Sequence, residues 1–309
     1  MSECPGLLKS PLDTPGSVPR DQDMLFQILI SGFVFGSCYS IVSVGMTTLY
    51  QATTVLNFAH GECVMLGAFL FFTLQILYGV STPLAIVLTL MATLLIGALM
   101  ERSVFRRIMF APHVNIVLAT NGFLYFYRGL ARLIWKSEPR FPTSLIDVQP
   151  ISLWGAVITS QDIAILISVF LLAVFFIWIF LFTETGLKMR AAAQSLRGAA
   201  LVGINTNRFF SSIWATSLGA GAVAGILLGP IYSVHPEMGE SIILRAFAAM
   251  TLGGFGNIGG AAVGGILMGI VENFVGYYFW SPLKEIVAYI VIVGVLIFKP
   301  TGIFGTRKF

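Results

Sequence analysis

Charge is what this chain has least of. Asp, Glu, Lys and Arg together make up 10% of its 309 residues, where a soluble domain carries roughly 25%. From Met24 to Ala59, and again from Cys63 to Met100, there is none at all. Such a chain cannot cover itself with a wetted surface, so a soluble fold is excluded and an integral membrane protein is expected. Short segments of alternating polarity, the mark of an outer-membrane barrel, are missing too. The apolar runs instead approach the ~20 residues a helix needs to cross the hydrocarbon core. The expected fold is all-α, a polytopic bundle of about eight or nine transmembrane segments, some of them broken or half-spanning.

Catalytic and metal-binding patterns are equally scarce. The three cysteines, Cys4, Cys38 and Cys63, show neither CxxC nor His-paired spacing and read as packing residues. There is no HExxH and no GxSxG, and no lysine follows a glycine, which excludes a P-loop. His60, His113 and His235 stand far apart. The chain is therefore expected not to be an enzyme, and to bind no metal or cofactor itself. A net charge of +4 is ordinary where basic residues gather at membrane ends, and gives no reason to expect a nucleic-acid partner.

Residues 1–23 form a polar extension with Pro5, Pro11, Pro15 and Pro19 and no apolar core of a cleavable signal. A single transmembrane domain is expected over 24–305, followed by a short tail, 306–309. Within it, spans are read near 24–50, 62–78, 84–100, 114–135, 163–182, 209–231, 261–280 and 286–298, with a shorter apolar segment at 242–252. Residues 136–162 read as an extramembrane loop. With the C-terminus in the cytoplasm, alternation places ten Lys and Arg inside and seven outside, a mild bias for that orientation.

Three polar features stand out against this background. The first is NFAHGE, 57–62. A carboxylate at the bilayer centre costs at least ~2.5 kcal/mol, so Asn57, His60 and Glu62 should face the bundle interior or an aqueous edge. They form either a substrate or proton site or a tight turn, with Asn57 capping a helix and Glu62 near its positive end; the turn is favoured, at the cytoplasmic end of the first span. The second is GGFGNIGG, 253–260. Its glycines disfavour a continuous helix, and irregular backbone at depth is tolerated only inside protein or beside a water-filled cavity. Gly253, Gly254, Gly256, Asn257, Gly259 and Gly260 therefore join NFAHGE as candidates for lining or gating a path. Elsewhere glycines four apart, such as Gly221 and Gly225, or Gly265 and Gly269, read as helix-packing faces. Arg245 reads as a snorkelling cation, and Glu272 lies within a span.

The third feature is TETGLKMRAAAQSLRGAALVGINTNR, 183–208. Arg190 and Arg197, seven apart, share a helix face, while Leu196, Ala199, Ala200 and Gly203 offer a small apolar face. This predicts an amphipathic helix outside the membrane, either lying on its surface or docking a soluble partner.

Three stretches together, LYQATTVLNFAHGECVMLGAF (49–69), AAAQSLRGAALVGINTNRFFSSIWATSLGAGAVAGILLGP (191–230) and AMTLGGFGNIGGAAVGGILMGIVEN (249–273), resemble the permease subunits of branched-chain amino-acid ABC importers. The tail EIVAYIVIVGVLIFKPTGIFG (285–305) fits as well, and NFAHGE resembles the first of the two permeases such systems use, whose close relatives carry urea or short amides. The resemblance implies a path formed with a second, homologous permease. It also implies two cytoplasmic P-loop ATPases that consume the ATP, and a periplasmic or extracellular solute-binding protein. Residues 190–207 would be the coupling helix, with Arg190, Arg197, Ala199, Ala200 and Gly203 facing the ATPase. Where such permeases often carry Glu-Ala-Ala ahead of a glycine, this chain has Arg197-Gly198-Ala199. Such a subunit would sit in the inner or plasma membrane of a prokaryote. The competing reading is an ion-coupled secondary carrier using Glu62 or Glu272; it should show inverted repeats, and none is evident in the residues.

Overall fold

A computed structural model describes residues 21–109, 111–143, 145, 150–153, 156–184, 186–188, 191, 198–199, 203 and 205–305. Among them are nine helices longer than one turn: α1 Asp21–Thr53, α2 His60–Phe72, α3 Thr82–Met100, α4 His113–Trp135, α5 Ser160–Phe182, α6 Thr206–Tyr232, α7 Met238–Gly253, α8 Ile258–Tyr278 and α9 Leu283–Phe298. A π-helical turn, Thr73–Leu77, extends α2, and another, Glu101–Phe105, carries α3 into Arg106–Ile108. Among the described residues, five stretches are long and apolar enough to span a bilayer: Met24–Thr53, His60–Leu77, Thr82–Ile108, Thr206–Tyr232 and Ile258–Tyr278. The all-α polytopic expectation holds. The loop expected at 136–162 contains the described strands, β1 Ile151–Leu153 and β2 Ala156–Ile158, paired antiparallel with Ile151 opposite Ile158.

Local chemistry starts the helices where the sequence allows. Pro83 sits in the first turn of α3, where its missing N–H costs nothing. Thr159 and Asp162 form a reciprocal capping box on α5. The Asn205 carboxamide accepts from Arg208 N at 3.1 Å and that of Asn257 from Gly260 N at 2.9 Å, capping α6 and α8. Asn121, polar in mid-span, donates to its own helix at Val117 O, 3.1 Å.

The bundle has two ends. At one, which we call the tail end, Thr53, Phe105 and Trp214 share a crevice, and residues 301–305 fold under α7 and α8. At the other, the hairpin end, Trp135 donates to Thr73 Oγ1 at 2.7 Å and β2 bonds Gln27 near the start of α1.

The two halves of the chain repeat one another upside down. Helix α1 descends to the tail end, turns at Thr54 with φ +57°, and returns through an irregular loop to begin α2. Helix α6 ascends to the hairpin end, turns at Ser233 with φ +62°, and returns to begin α7. Helix α1 packs along α8 as α6 packs along α3, and α2 lies against α6 as α7 lies against α1. The inverted repeat not evident in the residues is therefore present in the fold, carried by backbone path and not by similar side chains.

Glycine makes this packing possible. Lipid gives helices no hydrophobic reason to associate, so close backbone approach must do so. A Cβ on Gly36 of α1 would stand 2.7 Å from Ile266 Cα of α8. Cys38 and Cys63 are buried and free.

Candidate functional site

The loops that turn back into the bundle meet. Gly61, in the first turn of α2, lies against the backbone of Gly239, in the first turn of α7, with no room for a Cβ on either. Two helix N-termini, each with the partial positive charge of unpaired N–H groups, thus face the same interior region. Each carries a carboxylate there, Glu62 and Glu240.

Arg128 of α4 bridges them. Its Nη2 donates to Glu62 Oε1 at 2.8 Å and its Nη1 to Glu240 Oε2 at 3.0 Å. Glu62 is 1% exposed, whereas the Glu240 side chain is 69% exposed. One turn further along α4, Arg132 pairs with Glu237 at 2.6 Å. Beside the fork lies a cavity of about 230 Å³. Asn57, Arg128 and Glu240 supply its polar wall, Leu124, Ile243 and Phe247 its apolar one, and the exposed Tyr125 and Tyr289 its rim.

Of the three polar residues read from NFAHGE, two belong to this site. Asn57 lines the cavity and is buried; its Oδ1 accepts from Ala59 N at 3.0 Å, closing the turn one residue before α2 and not capping the helix itself. His60 points away, buried between α1 and α6, with Nδ1 3.4 Å from Ser217 Oγ, which donates to Gly45 O at 2.8 Å. That neighbour corrects the expected depth. Gly45 lies eight residues before the end of α1, about 12 Å inside at 1.5 Å per residue, so the turn is sunk in the bundle and not at its edge. Arg128, counted among the outer-side cations near the end of the 114–135 span, is the residue sequence reasoning missed. Its only signal was a cation in an otherwise spanning segment.

A second buried pair lies between α7 and α8. Arg245 Nε donates to Glu272 Oε1 at 2.8 Å and Nη1 to Ser241 O at 2.9 Å, with Tyr39 facing the guanidinium. Arg245 is 9% exposed, so it does not snorkel as expected. Removing one partner of a buried pair costs about 3–5 kcal/mol, while replacing both with apolar groups is often neutral. We expect Glu272→Leu to lower the unfolding midpoint of the detergent-solubilised protein sharply, and Arg245→Met with Glu272→Leu to recover most of the loss. Additive effects would rule out the coupling.

The chain matches the family model described as branched-chain amino acid transport system, permease component, over residues 28–296. The chain belongs to the branched-chain amino-acid ABC transporter permease family. It is 31% identical over 293 residues to the high-affinity branched-chain amino acid transport system permease protein BraD of Pseudomonas aeruginosa, covering 90% of this chain and 95% of that one. It is also 31% identical to the corresponding LivH protein of Escherichia coli over 297 residues, with the same coverage. A more distant relative, at 26% over 254 residues, is the autoinducer 2 import system permease protein LsrD of Salmonella paratyphi B, covering 76% of this chain and 72% of LsrD. No solved structure matches the chain.

Within this permease the remaining site candidates fall at the tail end. Gly253 to Gly260 form the α7–α8 turn, with Gly254 at φ +110° and Gly256 at φ +77°. The C-terminal residues clamp it: Ile303 N donates to Leu252 O at 2.8 Å, Phe304 N to Gly253 O at 3.1 Å, and Asn257 Nδ2 to Phe304 O at 2.8 Å. Gln51 of α1 donates to Gly256 O. None of Gly253, Gly254, Gly256, Asn257, Gly259 and Gly260 lines the cavity beside Arg128; they join α1, α7, α8 and the tail.

Arg190, Arg197 and Ala200, expected on the coupling helix, lie outside the described residues. Ala199 is 3% exposed and packs into the permease's own core. Gly203 is exposed at φ +83°, and Asn205 then caps α6. A left-handed residue ends a right-handed helix, so Gly203 separates α6 from whatever precedes it, and the rest of the expected 190–207 helix lies largely outside the described residues.

Proposed function

We propose that this permease is one of two homologous subunits of an ATP-driven importer in the inner or plasma membrane of a prokaryote, carrying branched-chain amino acids or related small polar solutes such as urea or amides. The observation that carries the reading is the Arg128 fork beside the cavity. One guanidinium nitrogen is committed to the buried Glu62, and the other is held by an exposed carboxylate, Glu240, that a solute carboxylate can displace. Glu240 is then free to meet the solute ammonium, and the apolar wall to take an aliphatic side chain. The exposure of Tyr125 and Tyr289 at the cavity rim supports an opening on the flank of the bundle, where on this reading a second permease completes the path. A solute-binding protein delivers the cargo at the hairpin end.

Two cytoplasmic ATPases dock at the tail end on the 190–207 stretch; this chain binds no nucleotide itself. Their closure moves the bundle only if they bind its two states with different affinity. Glu62 and Glu272, the carboxylates an ion-coupled carrier would use, are both tied to arginines; the inverted repeat expected of such a carrier is present, but it occurs here in a chain of the ABC permease family and so does not separate the two mechanisms.

Gly203→Arg tests the docking assignment. The bulky side chain should abolish uptake and ATPase co-purification, but a non-glycine at positive φ also costs about 1–2 kcal/mol. Gly203→Asn, which tolerates that conformation, is expected to keep both, and its failure would assign the defect to the backbone. The function itself is tested by purifying the tagged permease from native membranes and identifying co-purifying chains by mass, then assaying leucine and urea uptake by the reconstituted assembly. A second permease and P-loop ATPases with leucine uptake support the proposal; a lone chain, even after crosslinking, overturns it.

A further inference from the structure

The tail end carries a second polar cleft, separate from the solute cavity. It encloses about 610 Å³ between the end of α3 and the start of α6 and is lined by Arg102, Arg106, Arg208, Asn205 and Ser211. Arg106 is fixed in place: it forks onto the buried Glu101, Nε to Oε1 at 3.0 Å and Nη2 to Oε2 at 2.7 Å, and bonds Ser211 Oγ at 2.8 Å. Glu101 neutralises Arg106, so the cleft's excess charge comes from Arg102 and Arg208, which are exposed and have no acidic partner among the described residues. The N-terminus of the 27-residue α6 adds its partial positive charge from the other wall.

What distinguishes this cleft from an ordinary basic surface is its approach. Leu84, Leu88, Met91, Leu95 and Leu99 follow one another at three- and four-residue intervals along α3 and are all exposed. Leu95 and Leu99 are themselves part of the cleft wall, and Arg102 continues the same face. An apolar stripe therefore runs from the bilayer interior directly into a cluster of guanidinium groups at the membrane boundary. A free anion would use the arginines and leave the stripe unexplained. An amphiphile with a negatively charged head uses both.

We propose that this cleft binds the headgroup of an anionic phospholipid, with the phosphodiester between Arg102 and Arg208 and an acyl chain along the α3 stripe. Because the cleft is walled by Asn205, Asn207 and Arg208, the bound lipid braces the end of the 190–207 stretch against α3. The inference stands apart from the identity of the solute.

The test uses the full chain in nanodiscs of phosphatidylcholine with a minor fraction of phosphatidylglycerol, released and weighed by native mass spectrometry. Wild type should retain phosphatidylglycerol in preference to phosphatidylcholine. Arg102→Ala with Arg208→Ala should weaken that retention about thirtyfold, at about 1 kcal/mol per basic residue near the surface, with an unchanged unfolding midpoint. Leu95→Ser with Leu99→Ser should weaken it as well, which a site for a free anion would not. Equal retention by wild type and the arginine variant would overturn the proposal. So would loss of the retained lipid to inorganic phosphate alone, which would assign the cleft to a free anion.

Discussion

Arg128→Gln is expected to reduce uptake about tenfold to a hundredfold, the loss of the one charge-assisted hydrogen bond that Arg128 offers the solute, at about 1.5–3 kcal/mol. It should also destabilise the permease. Glu62 is 1% exposed and Arg128 is the partner its Oε1 bonds, so the substitution leaves a buried carboxylate without a counter-charge, at a cost of about 3–5 kcal/mol. The two effects separate in a second variant. Arg128→Gln with Glu62→Gln removes both charges and should restore the unfolding midpoint to near wild type while uptake stays low. Arg128→Lys should fall between, because an ammonium cannot fork to two carboxylates as a guanidinium does. Uptake rates in proteoliposomes and thermal unfolding in detergent read the two quantities independently. Recovery of uptake in the double variant would show that Arg128 serves only to neutralise Glu62, and would remove it from the solute path.

The sequence carried the fold class almost entirely, because burial in lipid is written into composition: charge-free runs at Met24–Ala59 and Cys63–Met100 have no other stable solution. It also carried the polar anomaly at Asn57 and Glu62. What it could not carry was depth. The reversals at Thr54 and Ser233 are made by non-glycine residues at positive φ, a conformation those residue types rarely adopt, so no local signal announced that the chain turns back into the bundle at both places. Without those reversals Glu62 and Glu240 lie 178 positions apart in sequence with nothing to join them, and Arg128 reads as an ordinary cation near the end of a span. The glycine run is the opposite case. Its signal for irregular backbone was correct, but the same signal serves a gate or a tight turn, and only the bonds from Ile303 and Phe304 decide where that irregularity sits. Arg245 and Glu272, 27 residues apart, were both visible as ionisable residues in apolar segments; their pairing needed the α7–α8 turn.

Gly239→Val should abolish uptake without touching a single polar side chain of the site. A Cβ on Gly239 would lie 2.7 Å from the Gly61 carbonyl carbon and 3.1 Å from Glu62 N, distances at which backbone, and not a flexible side-chain tip, must move. Overpacking of this kind costs about 1–3 kcal/mol in stability, which a membrane protein of ordinary stability survives. The geometric effect is larger than the energetic one. Separating the starts of α2 and α7 by even an ångström moves Glu62 and Glu240 apart, and Arg128 can then reach only one of them; misplacement of that size costs on the order of a hundredfold where orientation matters. Gly294→Val in α9, where an added Cβ meets nothing within 4 Å, is the control for adding bulk to a helical glycine, and should leave the unfolding midpoint unchanged. The informative comparison is Gly239→Ala. Its methyl is the smallest group that still meets the Gly61 backbone, so the contact between helix starts predicts that alanine is nearly as damaging to uptake as valine. Wild-type uptake from Gly239→Ala would mean that the two N-termini tolerate separation, and that the carboxylates they present do not act on the solute together.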